Sequence, residues 1–550
     1  MPLIEFFKRA GRRELWLLLL LTLVAGVANT LLVLAVNAVT NVVARGDRPD
    51  LFSSGLYVLA FAVYFFGSQT AMVRATRVVE HLLRNLRLQL VDKIRRSELT
   101  EISQLGKGQL YTLIAQETNH LSVTFPLMID AAQQGILLLL SLVYLGWLSP
   151  AALLAFVVGV LAGAVVYSTI DSSFRQTRAQ TAGRQARMLD VIADIIDGAK
   201  ELRLNQRKSD DVLALYRKES QSVEVLMNRS GDHWADMLLL GSFATYLILG
   251  IVAFLFPDMI GGHQLMVFQL IPVLLFCMGP LTKLVASWPM FILADVGLRS
   301  ILSIDRRLSE SAGPSPDDAR AEAPRFRDFG QISLTEATFR HRDPRGNTAF
   351  TVGPLDLTLT RGEITFLIGG NGGGKSTVAR LIAGLYPLDA GTISVDQMPV
   401  SGPDIGGFRE LFSAIFADFH LFDRLYGLED VDPHEVNRLI DELGLTGKVR
   451  FEDGRFTQLA LSTGQRKRLA LIAALLEDRP IYIFDEWSAE QDPRFREYFY
   501  GSLLPRMRAR GKTVVAVTHD DRYWHLADRV VKMELGRVEW SRAGGELELA

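Results

Sequence analysis

The sequence predicts two differently built parts in one chain: an all-α membrane domain of six helices, then an α/β domain organised around a glycine-rich loop. Three observations predict it. Residues 1–300 are dominated by long apolar runs, residues 320–550 alternate short apolar strands with helical stretches, and Gly369–Thr377 reads Gly-Gly-Asn-Gly-Gly-Gly-Lys-Ser-Thr. Over all 550 residues the hydrophobic share is 49% and the mean hydropathy is +0.19, high for a protein without membrane spans. The net charge of -2 gives no basic balance that would argue for nucleic acid. The single cysteine, Cys277, lies in an apolar run, which excludes a disulfide framework or a cysteine-based metal site.

The first apolar run, Leu15 to about Thr40, exceeds the ~20 residues that cross a bilayer and is too long for a signal-peptide core. Further runs cover Leu51–Val73, Pro126–Leu148, Ala151–Ile170, Met237–Phe256 and Met266–Leu293. Pro272, Pro280 and Pro289 predict a kink in the sixth, tolerated where neighbouring helices re-satisfy the backbone. Basic residues set the orientation. Lys8, Arg9, Arg12 and Arg13 precede span one, and Arg74, Arg77, Arg84, Arg87, Lys93, Arg95, Arg96 and Lys107 lie between spans two and three. The turns after spans three and five carry no Lys or Arg, and Arg45 and Arg48 after span one are balanced by Asp47 and Asp50. Both termini and both long connections are therefore expected in the cytoplasm.

Those connections, about 74–125 and 171–235, keep helical periodicity, as in Val79-x-x-Leu82-Leu83-x-x-Leu86. They predict helices projecting well beyond the membrane, bent back near Leu105-Gly-Lys-Gly108, with a lever contact there and a second near Asn205–Asp211. Plain solvated hairpins are the alternative. Ionisable groups within spans usually face a cavity or each other, so Asp130, Asp236 and Lys283 are candidates for a substrate pathway. Asp130 and Asp236 would instead be solvated if they sit at the inner interface. Residues 309–328, rich in Pro, Ser, Ala and charge, read as a linker. The expected division is thus 1–308 membrane domain, 309–330 linker and 331–550 α/β domain.

In the last part, strand-like runs at Ile332–Phe339, Phe350–Leu359, Ile364–Ile368 and Gly391–Val395 alternate with helices, which argues for a mainly parallel core. The glycine-rich stretch follows a buried-strand run and opens a helix, and it fits the phosphate-loop pattern G-x-x-x-x-G-K-[ST]. Backbone N–H groups of Gly369, Asn371, Gly372, Gly373 and Gly374 would wrap an anion. Lys375 would reach the β- and γ-phosphates of ATP, Ser376 would hold Mg²⁺, and Thr377 completes the motif. His341 and Phe339 lie upstream, where an aromatic could stack on adenine or be an ordinary strand residue. Leu-Ser-Thr-Gly-Gln, with Ser462, Gly464 and Gln465, opens a helix and offers N–H groups to an anion. Ile481–Phe484 is an apolar strand run ending in Asp485, suited to Mg²⁺ through water, and Glu486, suited to polarising water. Asp492 follows. Val514–Val517 leads through Thr518 to His519, placed as a γ-phosphate sensor.

The order phosphate loop, Leu-Ser-Thr-Gly-Gln, apolar-Asp-Glu, Asp and then His, behind six spans, resembles an exporter-type ABC half-transporter along essentially the whole chain. That resemblance implies the type IV exporter fold, a P-loop ABC ATPase domain, and a homodimer or closely related heterodimer. ATP would lie between one subunit's phosphate loop and the other's Ser462, Gly464 and Gln465. Three positions depart from the family pattern. Ala417 stands where a Gln is usual, with Asp418 beside it as a candidate for the contact to Mg²⁺ or water. His341 aligns with the adenine-stacking aromatic, and Trp487-Ser488 replaces Pro-Thr. Phe-x-Asp-Phe-His-Leu-Phe-Asp, Asp-Glu-Trp-Ser-Ala-Glu-Gln-Asp-Pro and Thr-His-Asp-Asp are similar to the cyclic-peptide exporter branch. That branch includes the syringomycin and pyoverdine exporters and the microcin-related YojI. The resemblance implies a bacterial inner-membrane pump for peptides or siderophore-type compounds. No peptidase-like stretch precedes span one, so export without coupled leader cleavage is expected. A lipid or lipid-linked glycan flippase, an exporter-shaped siderophore importer and a non-transporting regulatory ATPase are the competing readings.

Overall fold

A computed structural model describes residues 12–44, 48, 51–106, 110, 111, 113, 114, 118–251, 254, 264–342, 348–400 and 402–546. The chain forms two compact units: residues 1–88 with 112–303, and residues 89–111 with 304–550.

The first unit is helical. Its elements are α1 (Arg12–Ala44), most of α2 (Leu51–Arg96), and, beyond the short helix α3 (Leu99–Leu105), α4 (Thr118–Leu148), α5 (Pro150–Asp197), α6 (Ala199–Leu204), α7 (Gln206–Gly250) and most of α8 (Gln264–Glu310). Among the described residues five helices are long and apolar enough to cross a membrane, in α1, α2, α4, α5 and α8. The expected fifth span begins within α7, but most of 252–263 lies outside the described residues, as do Lys8, Arg9, Arg45 and Lys107. α2, α5, α7 and α8 are 46, 48, 45 and 47 residues long. At 1.5 Å per residue each measures about 70 Å, more than twice the ~30 Å of bilayer hydrocarbon. The periodic face read from the sequence is a packing face, since Val79, Leu82, Leu83 and Leu86 are all buried. α8 is helical throughout, Pro272, Pro280 and Pro289 included.

The second unit is an α/β body that also holds the end of α2 and all of α3. α9 (Pro316–Phe326), inside the expected linker, starts on a Ser315–Asp318 capping box. The strands are β1 (Gln331–Arg342), β2 (Thr348–Thr360), β3 (Ile364–Ile368), β4 (Ala390–Val395), β5 (Met398–Pro399), β6 (Phe412–Ile415), the short β7 (Phe451–Glu452) and β8 (Arg455–Phe456), then β9 (Ile481–Asp485), β10 (Thr513–Val517), β11 (Arg529–Glu534) and β12 (Arg537–Ala543). The four expected strands match β1 to β4. A six-stranded sheet runs β12-β11-β3-β10-β9-β6, parallel except for β12, and an antiparallel sheet runs β2-β1-β4-β5.

The core explains why β3, β9 and β10 are continuous apolar runs. Phe366, Phe484 and Ala516 pack into one apolar cluster, while Leu367, Ile483 and Val515 pack into a second. Alternate residues thus enter two cores, because helices cover both faces of the central sheet. α10 (Lys375–Ile382) contributes Val378, Leu381 and Ile382 to the second cluster. Between it and the helix opened by Leu-Ser-Thr-Gly-Gln lie α11 (Ile405–Arg409) and α12 (Pro433–Glu442); α13 (Thr463–Glu477) contributes Leu469, Leu471 and Ile472 to the first.

Within this unit residues 93–101 are fastened to the rest of the body. Arg409 Nη2 donates to both carboxylate oxygens of Glu98 at 3.0 and 2.9 Å, and its Nε donates to Gly384 O at 2.8 Å. Gly313 N donates to Arg96 O, and Ser97 pairs with Ala312 as an antiparallel bridge. Lys93 pairs with Asp305, and Arg307 with Glu101. Hydrogen bonds to charged groups contribute about 1.5–3 kcal/mol, and less where both partners stay partly exposed, as Glu98 and Arg409 do.

Candidate functional site

The candidate residues gather where parallel strands end, the usual place for ligands in open α/β sheets. β10 lies between β3 and β9, with Val517 opposite both Leu367 and Asp485. That register brings the loop after Ile368, the Asp485-Glu486 pair and the Thr518-His519 pair to one edge.

The loop can turn only with glycine at its start. Gly369 has φ 137°, and a Cβ there would stand 2.1 Å from Met533 O. Lys375 opens α10, is 5% exposed, and donates to Gly369 O at 3.0 Å and Gly370 O at 2.9 Å. Burial lowers its pKa, against the opposing pull of Glu486 and Asp485. Ser376 Oγ donates to Asp485 Oδ1 at 3.0 Å. Asp485 is fully buried and its Oδ2 has no hydrogen-bond partner. Burial pushes its carboxyl above the ordinary range, with the Ser376 hydroxyl opposing. A buried carboxylate with one orphaned oxygen, beside a hydroxyl at the foot of a phosphate loop, is an oxygen donor set that fits Mg²⁺.

Glu486 leaves β9 with φ 51°, a left-handed backbone uncommon for a non-glycine residue. Its Oε1 lies 3.2 Å from His519 Nε2, and its backbone carbonyl accepts from Lys467 Nζ at 2.8 Å. Ser462 caps α13 in a capping box with Gln465. A Cβ on Gly464 would meet Glu490 O at 2.6 Å, and Gln491 Nε2 donates to Gly464 O at 3.0 Å. Arg468 holds the next stretch, donating to Gln491 Oε1 at 2.8 Å and Asp492 Oδ2 at 2.7 Å. Asp492 also accepts from Phe495 N at 3.1 Å, capping α14 (Pro493–Tyr498).

His341 Nε2 lies 2.9 Å from Thr377 Oγ1, and its ring meets Phe339 edge-on at 4.9 Å. Burial, then the nearby Arg380 charge, lowers its pKa. A cavity of about 440 Å³ opens beside it, lined also by Tyr386 and by Thr100, Ser103 and Gln104 of the lever segment. Asp418 is largely exposed and paired with Arg380 at 2.8 Å; the described contacts tie it to that guanidinium and not directly to Ser376 or Asp485. Arg380 also acts electrostatically on Asp485. Arg380 and Lys467 were not among the residues the sequence singled out. Each looks like a surface charge on a helix until the fold turns it toward the strand ends.

Comparison with known proteins supplies the family. The description "ABC transporter transmembrane region" matches residues 15–254, and "ABC transporter" matches residues 352–489. The ATP-binding protein SyrD of Pseudomonas syringae pv. syringae is 30% identical over 536 residues, which is 94% of this chain and 93% of SyrD. The macrolide export ATP-binding/permease protein MacB 1/2 of Paracoccus denitrificans is 31% identical over 208 residues, 35% of this chain and 30% of that protein. A solved structure of a bacterial Atm1-family ABC exporter with ATP bound shares the fold, with a TM-score of 0.77 at 18% identity over 97% of this chain and 96% of that one.

Proposed function

The chain belongs to the ABC transporter family as an exporter-type half-transporter with fused membrane and ATPase domains, and on that premise we propose that it exports a cyclic or otherwise modified peptide, or a siderophore-type compound. It is an integral membrane protein that binds ATP and couples its hydrolysis to transport. Support for the cargo comes from the extent of the SyrD likeness, which runs through both domains and not through the ATPase alone. The proposed setting is the bacterial inner membrane, with both termini in the cytoplasm.

The observation that carries the hydrolytic assignment is the Glu486–His519 contact, set beside Lys375, Ser376 and Asp485 at adjacent strand ends. The phosphate-loop N–H groups and Lys375 bind the ATP phosphates. Ser376 and Asp485 would hold Mg²⁺, which when bound supplies charge neutralisation to the β- and γ-phosphate oxygens; Asp418, to serve as a further candidate, would have to leave its pairing with Arg380. Glu486 accepts a proton from a water whose oxygen bonds to the γ-phosphorus. The bond from that phosphorus to the bridging oxygen breaks, and ADP leaves with the oxygen. His519 orients Glu486 and senses the γ-phosphate. His341 borders the base. Ser462, Gly464, Gln465 and Asp492 of a second copy complete the site, so the working form is a dimer. Closing and reopening of the ATPase pair moves the long helices and alternates access to the cargo.

For the cargo path, Lys283 Nζ lies 3.5 Å from Asp130 Oδ2, and Gln134 Nε2 donates to Asp130 Oδ1 at 3.3 Å. This polar cluster joins α8 to α4 inside membrane-spanning stretches, where ionisable groups mark substrate routes. Asp236 is exposed and stays a candidate for the same route. One observation favours a flippase as the second reading: the Lys283 side chain is 57% exposed and could meet a lipid phosphate. The deciding experiment loads inside-out proteoliposomes with ATP outside and follows a fluorescent cyclic lipopeptide and, separately, a headgroup-labelled lipid. ATP-dependent accumulation of the peptide supports the exporter; movement of the lipid alone supports the flippase.

A further inference from the structure

β9 and β10 run side by side, and just past their ends Glu486 and His519 meet at 3.2 Å, both partly exposed. Exposed side chains keep such a distance only if the loops bearing them are fixed. Beneath them lies a chain of buried hydroxyls. The Tyr500 hydroxyl is 2.7 Å from Ser488 Oγ and 2.6 Å from Thr518 Oγ1. Ser488 follows Glu486 by two positions, and Thr518 immediately precedes His519. Tyr500, Ser488 and Thr518 are 1%, 6% and 1% exposed. Thr518 Oγ1 also accepts from Asp520 N at 3.0 Å, which braces the far side of His519.

The Tyr500 ring touches the remaining parts of the same edge. It stacks on Tyr523 at 4.3 Å, beyond His519, and meets Phe366 of β3, the strand that feeds the phosphate loop, edge-on at 5.7 Å. Tyr500 sits in a π-turn, Phe499–Leu503, a local irregularity that occurs often at functional sites. Its neighbour Phe499 stacks on Trp487 at 4.6 Å. The Trp487-Ser488 pair, where this chain departs from the Pro-Thr of its family, is therefore matched residue for residue by Phe499-Tyr500. Burial pushes the Tyr500 phenol above its ordinary pKa, so it remains a neutral hydrogen-bonding group at working pH.

We propose that Tyr500 is a positioning residue for ATP hydrolysis: its hydroxyl clamps Ser488 to Thr518 and thereby holds the Glu486 carboxylate against His519. The inference rests on the roles given above to Glu486 and His519. Tyr500 touches neither ATP nor water. It acts through the two loops, so its loss should appear in turnover and not in nucleotide binding.

The test uses the full chain in lipid nanodiscs, with ATPase kinetics, binding of a fluorescent ATP analogue and thermal unfolding measured together. Because small misplacements of a catalytic group are costly, Tyr500→Phe is expected to lower kcat roughly ten-fold or more while ATP binding stays within about two-fold. Thr518→Val is expected to do the same. The double variant should fall by clearly less than the product of the two single losses, since both cut the Tyr500–Thr518 link, whereas independent losses would multiply. Thr518→Ser and Ser488→Thr keep the hydroxyls and should retain most of the turnover. A folded Tyr500→Phe protein with kcat within about two-fold of wild type overturns the proposal, as does an equal fall in ATP affinity or a multiplicative double variant. If Tyr500→Phe does not fold, Thr518→Val and Ser488→Ala carry the same comparison. Glu486→Gln run alongside separates the two levels. Its continued hydrolysis would remove the underlying assignment, whereas its inactivity beside an active Tyr500→Phe removes the clamp alone.

Discussion

The ATPase edge and the membrane-spanning helices solve opposite problems with polar groups. At the strand ends, charged and hydroxyl side chains are crowded together and tied to one another: Ser376 to Asp485, Glu486 to His519, Arg468 to Gln491 and Asp492. In the spans, polar groups are sparse and joined in isolated contacts, such as Asn37 to Tyr144 at 2.9 Å, Ser68 to Gln133 at 2.9 Å and Lys283 to Asp130. A site that performs one reaction on one nucleotide gains from preorganisation. A membrane-spanning stretch keeps few polar groups, because each must find a partner without water. Polar side chains are therefore packed densely at the strand ends and set thinly in the spans.

Variants break the comparison at graded strengths. The largest effect belongs to Glu486→Gln: general-base loss costs about 10²- to 10⁴-fold, so turnover should nearly vanish while ATP stays bound. Near wild-type ATPase would defeat the assignment. Lys375→Ala removes a charge-assisted contact and should weaken ATP binding itself, by roughly 10- to 100-fold at about 1.4 kcal/mol per decade, read by nucleotide titration. Lys283→Met or Asp130→Asn should leave basal ATPase in place but cut cargo-stimulated turnover several-fold, on the order of one polar contact. Unchanged stimulation in both would clear that pair of a cargo role. Glu98→Ala removes the Arg409 contact in the lever segment and should reduce the response of the ATPase to cargo without reducing ATP affinity.

The smallest effect concerns stability and its pH dependence. Burial raises the Asp485 pKa in the folded protein, so folding favours the protonated form. The stability tied to that proton is fully present below the ordinary carboxylate pKa of about 4 and is lost as pH rises through the raised folded value. At neutral pH the ionised group therefore destabilises the nucleotide-free fold. Asp485→Asn should compare best with wild type near pH 7 and lose ground as the pH approaches 4, in melts without nucleotide. An advantage that grows as the pH falls would contradict the stated cause.

Part of this arrangement is legible in the sequence because it is local. A buried-strand run, five glycines, Lys375-Ser376 and a helix form one contiguous unit, and Ile481–Asp485 announces itself as a strand ending in acid. Helix length is legible from uninterrupted periodicity. What is not legible is pairing made by tertiary register. Tyr500 reads as an ordinary core aromatic, since nothing in its neighbourhood reveals that β9 and β10 bring Ser488 and Thr518 to its hydroxyl. Arg380 and Lys467 read as surface charges for the same reason. His341 aligns with a stacking aromatic, yet its ring nitrogen is engaged with Thr377. The Glu98–Arg409 contact lies ahead of the expected Leu105–Gly108 bend, of which residues 107 and 108 lie outside the described residues, and no sequence motif announces it.

The most direct test of the central claim is ATPase activity of the purified chain in lipid nanodiscs, with and without a panel of cyclic peptides and siderophore precursors. The account predicts stimulation by at least one peptide, abolished by Glu486→Gln. ATPase that no peptide changes, but that responds to lipid composition, would contradict peptide export and favour the flippase.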